Sequence, residues 1–182
     1  IQIPCLNEEK TLPLVVKDIP KKIDGIDKVE ILVVDDGSTD RTSEVAEELG
    51  VDHIVQLSYN RGLAYAFMVG LDTALKFGAN IIVNTDGDNQ YNGCDIPKLI
   101  KPILENKAEI VVGDREVEKI KHFSLTKILL QKLGSWVVRQ LSGTSIPDVT
   151  SGFRAYSKEI AMQINVVSKF SYTLETIIMA GK

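Results

Sequence analysis

Short apolar runs alternate with amphipathic stretches along most of this chain. Ile1 to Pro4 reads as the end of a first strand. Leu12, Val15, Val16 and Ile19 then recur at helical spacing, giving one buried face to a helix that Asn7 would cap, Glu8-Glu9 would open and Pro20 would stop. Val29 to Val34 is a second strand, followed by a helix from about Arg41 to Leu49 with Gly50 as its stop. His53 to Leu57 is a third strand. Asn60-Arg61-Gly62 opens a long helix that reaches Lys76-Phe77 and closes at Gly78. Ile81 to Asn84 is a fourth strand, Ile96 to Leu104 a helix, and Ala108 to Val112 a fifth strand. Strands and helices alternating at this spacing predict an α/β domain, a mainly parallel twisted sheet with helices on both faces.

The rhythm breaks after Val112. Glu116 to Phe123 is charged and aperiodic and reads as a loop. Leu125 to Leu141 is an apolar-rich helix carrying Lys127, Lys132, Arg139 and Trp136, either a core helix or one lying at a lipid interface. Asp148 to Arg154 reads as a polar turn before two short helices. With no internal repeat, low-complexity tract or linker, residues 1–182 are expected to form one domain. The chain starts inside a strand without Met and stops directly after a helical pattern, so the natural protein is expected to extend past its ends.

Composition narrows the function classes. A formal net charge of −4 argues against a general nucleic-acid binder. No apolar run is long enough to span a bilayer. The 2 cysteines, Cys5 and Cys94, lie far apart and outside any Cys-x-x-Cys pair, which argues against a disulfide framework or zinc site and favours a reducing cytoplasm. His53 reads as a strand residue, and His122 has no assigned chemistry.

The chemistry concentrates where strands end. Asn7-Glu8-Glu9, Asp35 to Asp40 and Asp86-Gly87-Asp88 each follow a predicted strand, and in a parallel sheet all three turns open on one edge. That edge is where open α/β sheets bind ligands. Two carboxylates flanking a glycine suit Mg²⁺ or Mn²⁺, which prefer oxygen ligands and keep positions free for substrate phosphates.

Six pieces in order, Ile3-Pro4-Cys5-Leu6-Asn7-Glu8, Val34 to Asp40, Asn60-Arg61-Gly62, Asp86-Gly87-Asp88-Asn89-Gln90, Gly113-Asp114-Arg115 and Ser151-Gly152-Phe153-Arg154, run nearly the full chain. Together they resemble the family 2 glycosyltransferases, inverting enzymes of the GT-A fold, and most of all the dolichyl- and polyprenyl-phosphate hexose synthases. The resemblance implies transfer of a hexose from a UDP- or GDP-sugar to a lipid phosphate at the cytoplasmic face of a membrane. It implies a donor site of Pro4, Asn7, Glu8, Asp36, Asp86 and Arg61, with Asp36 meeting the nucleobase. Asp86 and Asp88 would hold the divalent ion. Asp88, Gln90 and Asp148 are the implied catalytic candidates, and Arg115 and Arg154 the contacts to the acceptor phosphate.

Plainer roles stand beside several of these. Glu8 fits a first-turn charge favoured by the helix dipole, Gln90 a surface amide, and the two arginines ordinary ion pairs. The chain also departs from the lipid-phosphate mannosyl pattern, with Gly87 where Ala is usual and Asp114 where Ser is usual. A Gln-x-x-Arg-Trp run, typical of processive members, is absent. Rival readings keep the fold but change the acceptor to a saccharide, protein or small alcohol, or make the chain a non-catalytic nucleotide-sugar-binding module. An aspartate-nucleophile phosphatase would want Asp-x-Asp-x-Thr after the first strand, and a nicotinamide enzyme Gly-x-Gly-x-x-Gly there; neither fits.

Overall fold

The computed structural model describes residues 1–114, 148–167 and 172–180. Its strands are β1 (Gln2–Cys5), β2 (Leu32–Asp35), β3 (His53–Gln56), β4 (Ile81–Asn84), β5 (Ile110–Val112) and β6 (Arg154–Ser157). The helices are α1 (Leu12–Asp18), α2 (Thr42–Glu48), α3 (Leu63–Lys76), α4 (Ile96–Leu104), α5 (Lys158–Ala161) and α6 (Tyr172–Ala180). The six strands form one sheet in the order β3-β2-β1-β4-β6-β5.

β1 pairs in parallel with β2 and β4, and β2 in parallel with β3. The chain therefore winds outward from β1 to β3, then crosses back through α3 to β4 on the other side of β1. That reversal leaves a crevice at the carboxyl ends of the strands flanking β1. One face of the sheet is covered by α1 and α4, whose Leu12, Val15, Ile96, Leu99 and Ile100 pack on Ile3, Val33 and Val83. The other face carries α3, α5 and α6 through Phe67, Leu71, Ala161 and Tyr172. Each fully buried aliphatic side chain of this kind contributes about 1.5–3 kcal/mol relative to exposure.

Two elements differ from the sequence reading. Residues 154–157 form strand β6, antiparallel to both β4 and β5, where a turn and helix were expected. The stretch Arg-Ala-Tyr-Ser carries no apolar alternation because both of its faces are covered and all four residues are buried. β5 still runs in the sense of β4, with β6 wedged between them. The first helix begins at Leu12 rather than Glu8. Asn7 sits at φ 59° and serves no cap; Thr11 occupies the N-cap, with Pro13 in the first turn. The loop of residues 116–123, the helix of 125–141 and His122 lie outside the described residues.

Candidate active site

The register brings the acidic turns to one edge. Cys5 stands beside Asp35 in the β1–β2 ladder, and Gln2 beside Asn84 in the β1–β4 ladder. Carried forward, the second register puts Gly87 against Cys5; a Cβ on Gly87 would lie 2.9 Å from the Cys5 sulfur. The Asp36 turn and the Asp86-Gly87-Asp88 turn thus flank β1 on opposite sides, about 10 Å apart at ordinary strand spacing. Burial, followed by the charges of Glu8, Asp35, Asp86 and Asp40, pushes the Cys5 thiol far above its usual range, so it stays protonated and inert. Cys94 is exposed.

Asp36 is buried, and its two carboxylate oxygens accept the backbone N–H groups of Arg61 (2.7 Å) and Gly62 (2.8 Å) at the start of α3. The charge lies at the positive end of that helix. A Cβ on Gly37 would meet the Tyr59 carbonyl carbon at 2.5 Å, so the two loops lie in direct contact. The Arg61 guanidinium covers the Tyr65 ring at 4.1 Å and is exposed.

Asn7 and Glu8 are laced to the second turn. The Asn7 N–H donates to Ser38 Oγ (2.9 Å), its side-chain oxygen accepts from Thr39 N (2.8 Å), and Glu8 N donates to Thr42 Oγ1 (2.8 Å). Asp40 closes the clasp by accepting from Glu9 N at 3.2 Å. Burial pushes the Asp40 carboxyl up, but hydrogen bonds from Thr42 and the Glu9 amide outweigh it and hold it below its ordinary range. Pro4 is buried in β1.

Past β4, Asp88 is half-buried and accepts from Gln90 Nε2 (2.7 Å) and Gln90 N (3.1 Å). Asp86 lies against Gly152, where a Cβ would stand 2.6 Å from Oδ2 and 2.8 Å from Oδ1. Among the described residues no three His, Cys, Asp or Glu side chains group as a metal cluster. The two carboxylates of this turn are oxygen donors of the kind that would suit a divalent ion whose remaining ligands are phosphate oxygens and water. Beside the turn opens a cavity of about 770 Å³ lined by Gln90, Tyr91, Lys98, Val112, Gly113, Asp114 and Phe153.

The arginine and base candidates fare differently. Arg154 is fully buried, and its guanidinium donates to Ser151 O (2.7 Å), Val149 O (2.7 Å), Thr173 O (2.7 Å) and Thr176 Oγ1 (2.8 Å). Four of its five N–H donors go to the protein itself and the side chain is buried, which speaks against its expected place at an acceptor phosphate. Asp148 is also buried, and its Oδ1 accepts from Thr150 Oγ1 (3.0 Å) and Thr150 N (3.3 Å). Arg115 lies outside the described residues.

Sequence reasoning missed the layer beneath the turn. Gln2 Nε2 donates to Asn84 Oδ1 (2.9 Å), and Asn84 Nδ2 donates to Gly152 O (2.9 Å) and Tyr172 OH (2.8 Å). Tyr91 OH accepts from Gly152 N at 2.8 Å. A Gln and an Asn at fully covered positions of β1 and β4 were the available signal, since buried amides need partners.

The family model described as "Glycosyl transferase family 2" matches residues 1–164. A polyprenol monophosphomannose synthase of Mycolicibacterium smegmatis is 30% identical over 90% of this chain and 63% of its own length. A UDP-N-acetylglucosamine–dolichyl-phosphate N-acetylglucosaminyltransferase of Methanococcus voltae is 29% identical over 99% of the chain and 78% of its own. Among solved structures, glucosyl-3-phosphoglycerate synthase of Mycobacterium tuberculosis with Mn²⁺, UDP-glucose and glycerol 3-phosphate superposes with a TM-score of 0.62 at 25% identity. That match covers 87% of this chain and 56% of the other. The sheet, with β6 inserted antiparallel, is the GT-A arrangement, and with the match running across nine-tenths of its residues this chain belongs to glycosyl transferase family 2.

Proposed function

We propose that this chain carries the donor-binding and catalytic part of an inverting, metal-dependent glycosyltransferase that moves a hexose from a UDP- or GDP-sugar to a polyprenyl phosphate. The observation that carries the reading is the strand order, which sets the Asp36 turn and the Asp86–Asp88 turn on either side of β1. In this reading the nucleobase meets Asp36, with Pro4, Asn7, Glu8 and Arg61 forming the rest of the pocket. Each Asp36 oxygen keeps a second lone pair beyond the loop amide it accepts, so a base N–H can still be bound. Asp86 and Asp88 would hold Mg²⁺ or Mn²⁺, which when bound offsets the charge that builds on the departing nucleoside diphosphate.

The acceptor would enter through the cavity beside Gln90 and Gly113, with Arg115 as the proposed phosphate contact. A lipid phosphate is already largely a dianion near neutral pH, so it needs alignment more than deprotonation. Asp148, engaged by Thr150, is then not required as a base. In this reading Gln90, whose Nε2 donates to Asp88 at 2.7 Å, would offer its amide to a sugar hydroxyl or the acceptor. The names of the two relatives with lipid-phosphate substrates support this acceptor, and the proposal sets its use at the cytoplasmic face of a membrane. Among the described residues no helix is long and apolar enough to cross a membrane.

The solved complex with glycerol 3-phosphate favours a second reading, a small phosphorylated acceptor. Transfer from labelled UDP-glucose, UDP-N-acetylglucosamine and GDP-mannose should be measured onto polyprenyl phosphate, the matched polyprenol and 3-phosphoglycerate. The expected product is the sugar-linked lipid phosphate with one of these donors. Faster transfer to 3-phosphoglycerate or to the alcohol would replace this acceptor, and donor binding with no transfer to any of them would make the chain a binding module.

A further inference from the structure

Asp86 and Gly152 face each other across two antiparallel strands. The β4–β6 ladder pairs Asn84 with Arg154, and Asp86 and Gly152 lie two residues beyond that pair, one on each strand. The whole Asp86 carboxylate rests on the bare Cα of Gly152: a Cβ there would stand 2.6 Å from Oδ2, 2.8 Å from Oδ1 and 3.0 Å from Cγ. Real side chains do not approach so closely, so any residue but glycine must either push the carboxylate aside or move the backbone.

The backbone is poorly able to move. The Gly152 N–H is held by the buried Tyr91 hydroxyl at 2.8 Å, and its carbonyl by Asn84 Nδ2 at 2.9 Å. Asn84 is itself fixed by Gln2 and by Tyr172, whose ring stacks on Phe67 at 3.9 Å and 3°. Tyr91 stacks on Phe153 at 5.3 Å, and the following residue, Arg154, ties Ser151, Val149 and α6 together. Buried polar groups satisfied in this way rigidify their surroundings, and a supporting shell of this kind sets the orientation of a metal ligand.

We propose that Gly152, clamped by Tyr91 and Asn84, is a positioning residue that sets the angle at which Asp86 presents its carboxylate to the divalent ion of the donor complex. The inference rests on the reading of Asp86 and Asp88 as metal ligands. Enlarging residue 152 rotates Asp86 away from the ion, while loosening the Tyr91 bond lets the same glycine drift. Neither change touches Asp36 or the base pocket.

The test reads metal rather than turnover. Mn²⁺ is titrated into the protein with UDP or GDP present, and the ternary complex is followed by water-proton relaxation enhancement, with circular dichroism as the control for fold. Gly152→Ala is expected to weaken Mn²⁺ at least tenfold, and Tyr91→Phe about threefold, with the native spectrum retained. Asp86→Asn separates the premise from the inference. If the wild type gives no enhancement with either diphosphate, or keeps it in Asp86→Asn, the metal assignment falls and this inference falls with it. If Asp86→Asn abolishes enhancement while Gly152→Ala binds Mn²⁺ like the wild type, the positioning role alone is overturned. Should Gly152→Ala not fold, Tyr91→Phe decides: wild-type affinity overturns the proposal, and a weakened one sustains it.

Discussion

Asp88→Ala is expected to lower hexose transfer by about a hundredfold to a thousandfold, the usual cost of removing one group that stabilises charge in the transition state. Stability should change by no more than about 0.5 kcal/mol, because Asp88 is half-exposed and its bonding partner Gln90 lies at the surface. Chelation with EDTA should reproduce the loss in the wild type, and added Mn²⁺ should restore the wild type but not the variant. The pairing of those results matters: a structural aspartate would lose activity only as the fold was lost. Undiminished turnover after chelation would remove the ion from the account and leave Asp86 and Asp88 as turn residues.

Arg154→Met is expected to destabilise the fold by about 3–5 kcal/mol, since each buried acceptor left without a donor costs about 1–3 kcal/mol and several are left at once. Methionine has the length to fill the site but no donors, so the carbonyls of Val149, Ser151 and Thr173 would be left buried without the guanidinium they now share. Urea unfolding followed by circular dichroism reads the change directly. An acceptor-phosphate ligand would behave otherwise, with the variant folding at wild-type stability and raising only the KM for the acceptor. That second outcome would return Arg154 to the role its motif first suggested.

The contrast between Arg154 and Asp36 shows what the sequence could and could not convey. Strands β1 to β4 were legible because each is a short apolar run followed by a turn rich in Asp, Asn or Gly, and the parallel order then forces those turns to one edge. Asp36 and Asp86 could be located by that logic alone. Arg154 could not, since an arginine after Ser-Gly-Phe reads equally well as a surface cation. Only the antiparallel insertion of β6, with α6 closing over it, shows that the side chain points inward. β6 itself was hidden for the same reason: with both faces covered, its composition is free of the alternation that marks half-exposed strands.

Asn7 failed as a helix cap because the competing hydrogen bonds are tertiary. Its amide and side chain are taken by Ser38 and Thr39, more than thirty residues away, and the helix starts later, with Pro13 in its first turn. Gln2 and Asn84 gave a readable sign, two amides at central strand positions. Their meaning depended on Gly152 and Tyr172, which a single sequence does not connect to them. The site was thus legible in its outer carboxylates and hidden in the layer that holds them.

The most direct test places a paramagnetic ion in the proposed crevice. Amide resonances of the isotopically labelled protein are recorded with substoichiometric Mn²⁺ and UDP or GDP, with Mg²⁺ as the diamagnetic reference. Gly37, Gly87 and Gly152 are expected to broaden first while Gly25 and Gly78, at the opposite edge of the sheet, persist. Broadening centred on Gly25 and Gly78, or spread evenly over the surface, would contradict a cation and diphosphate bound between the Asp36 and Asp86 turns.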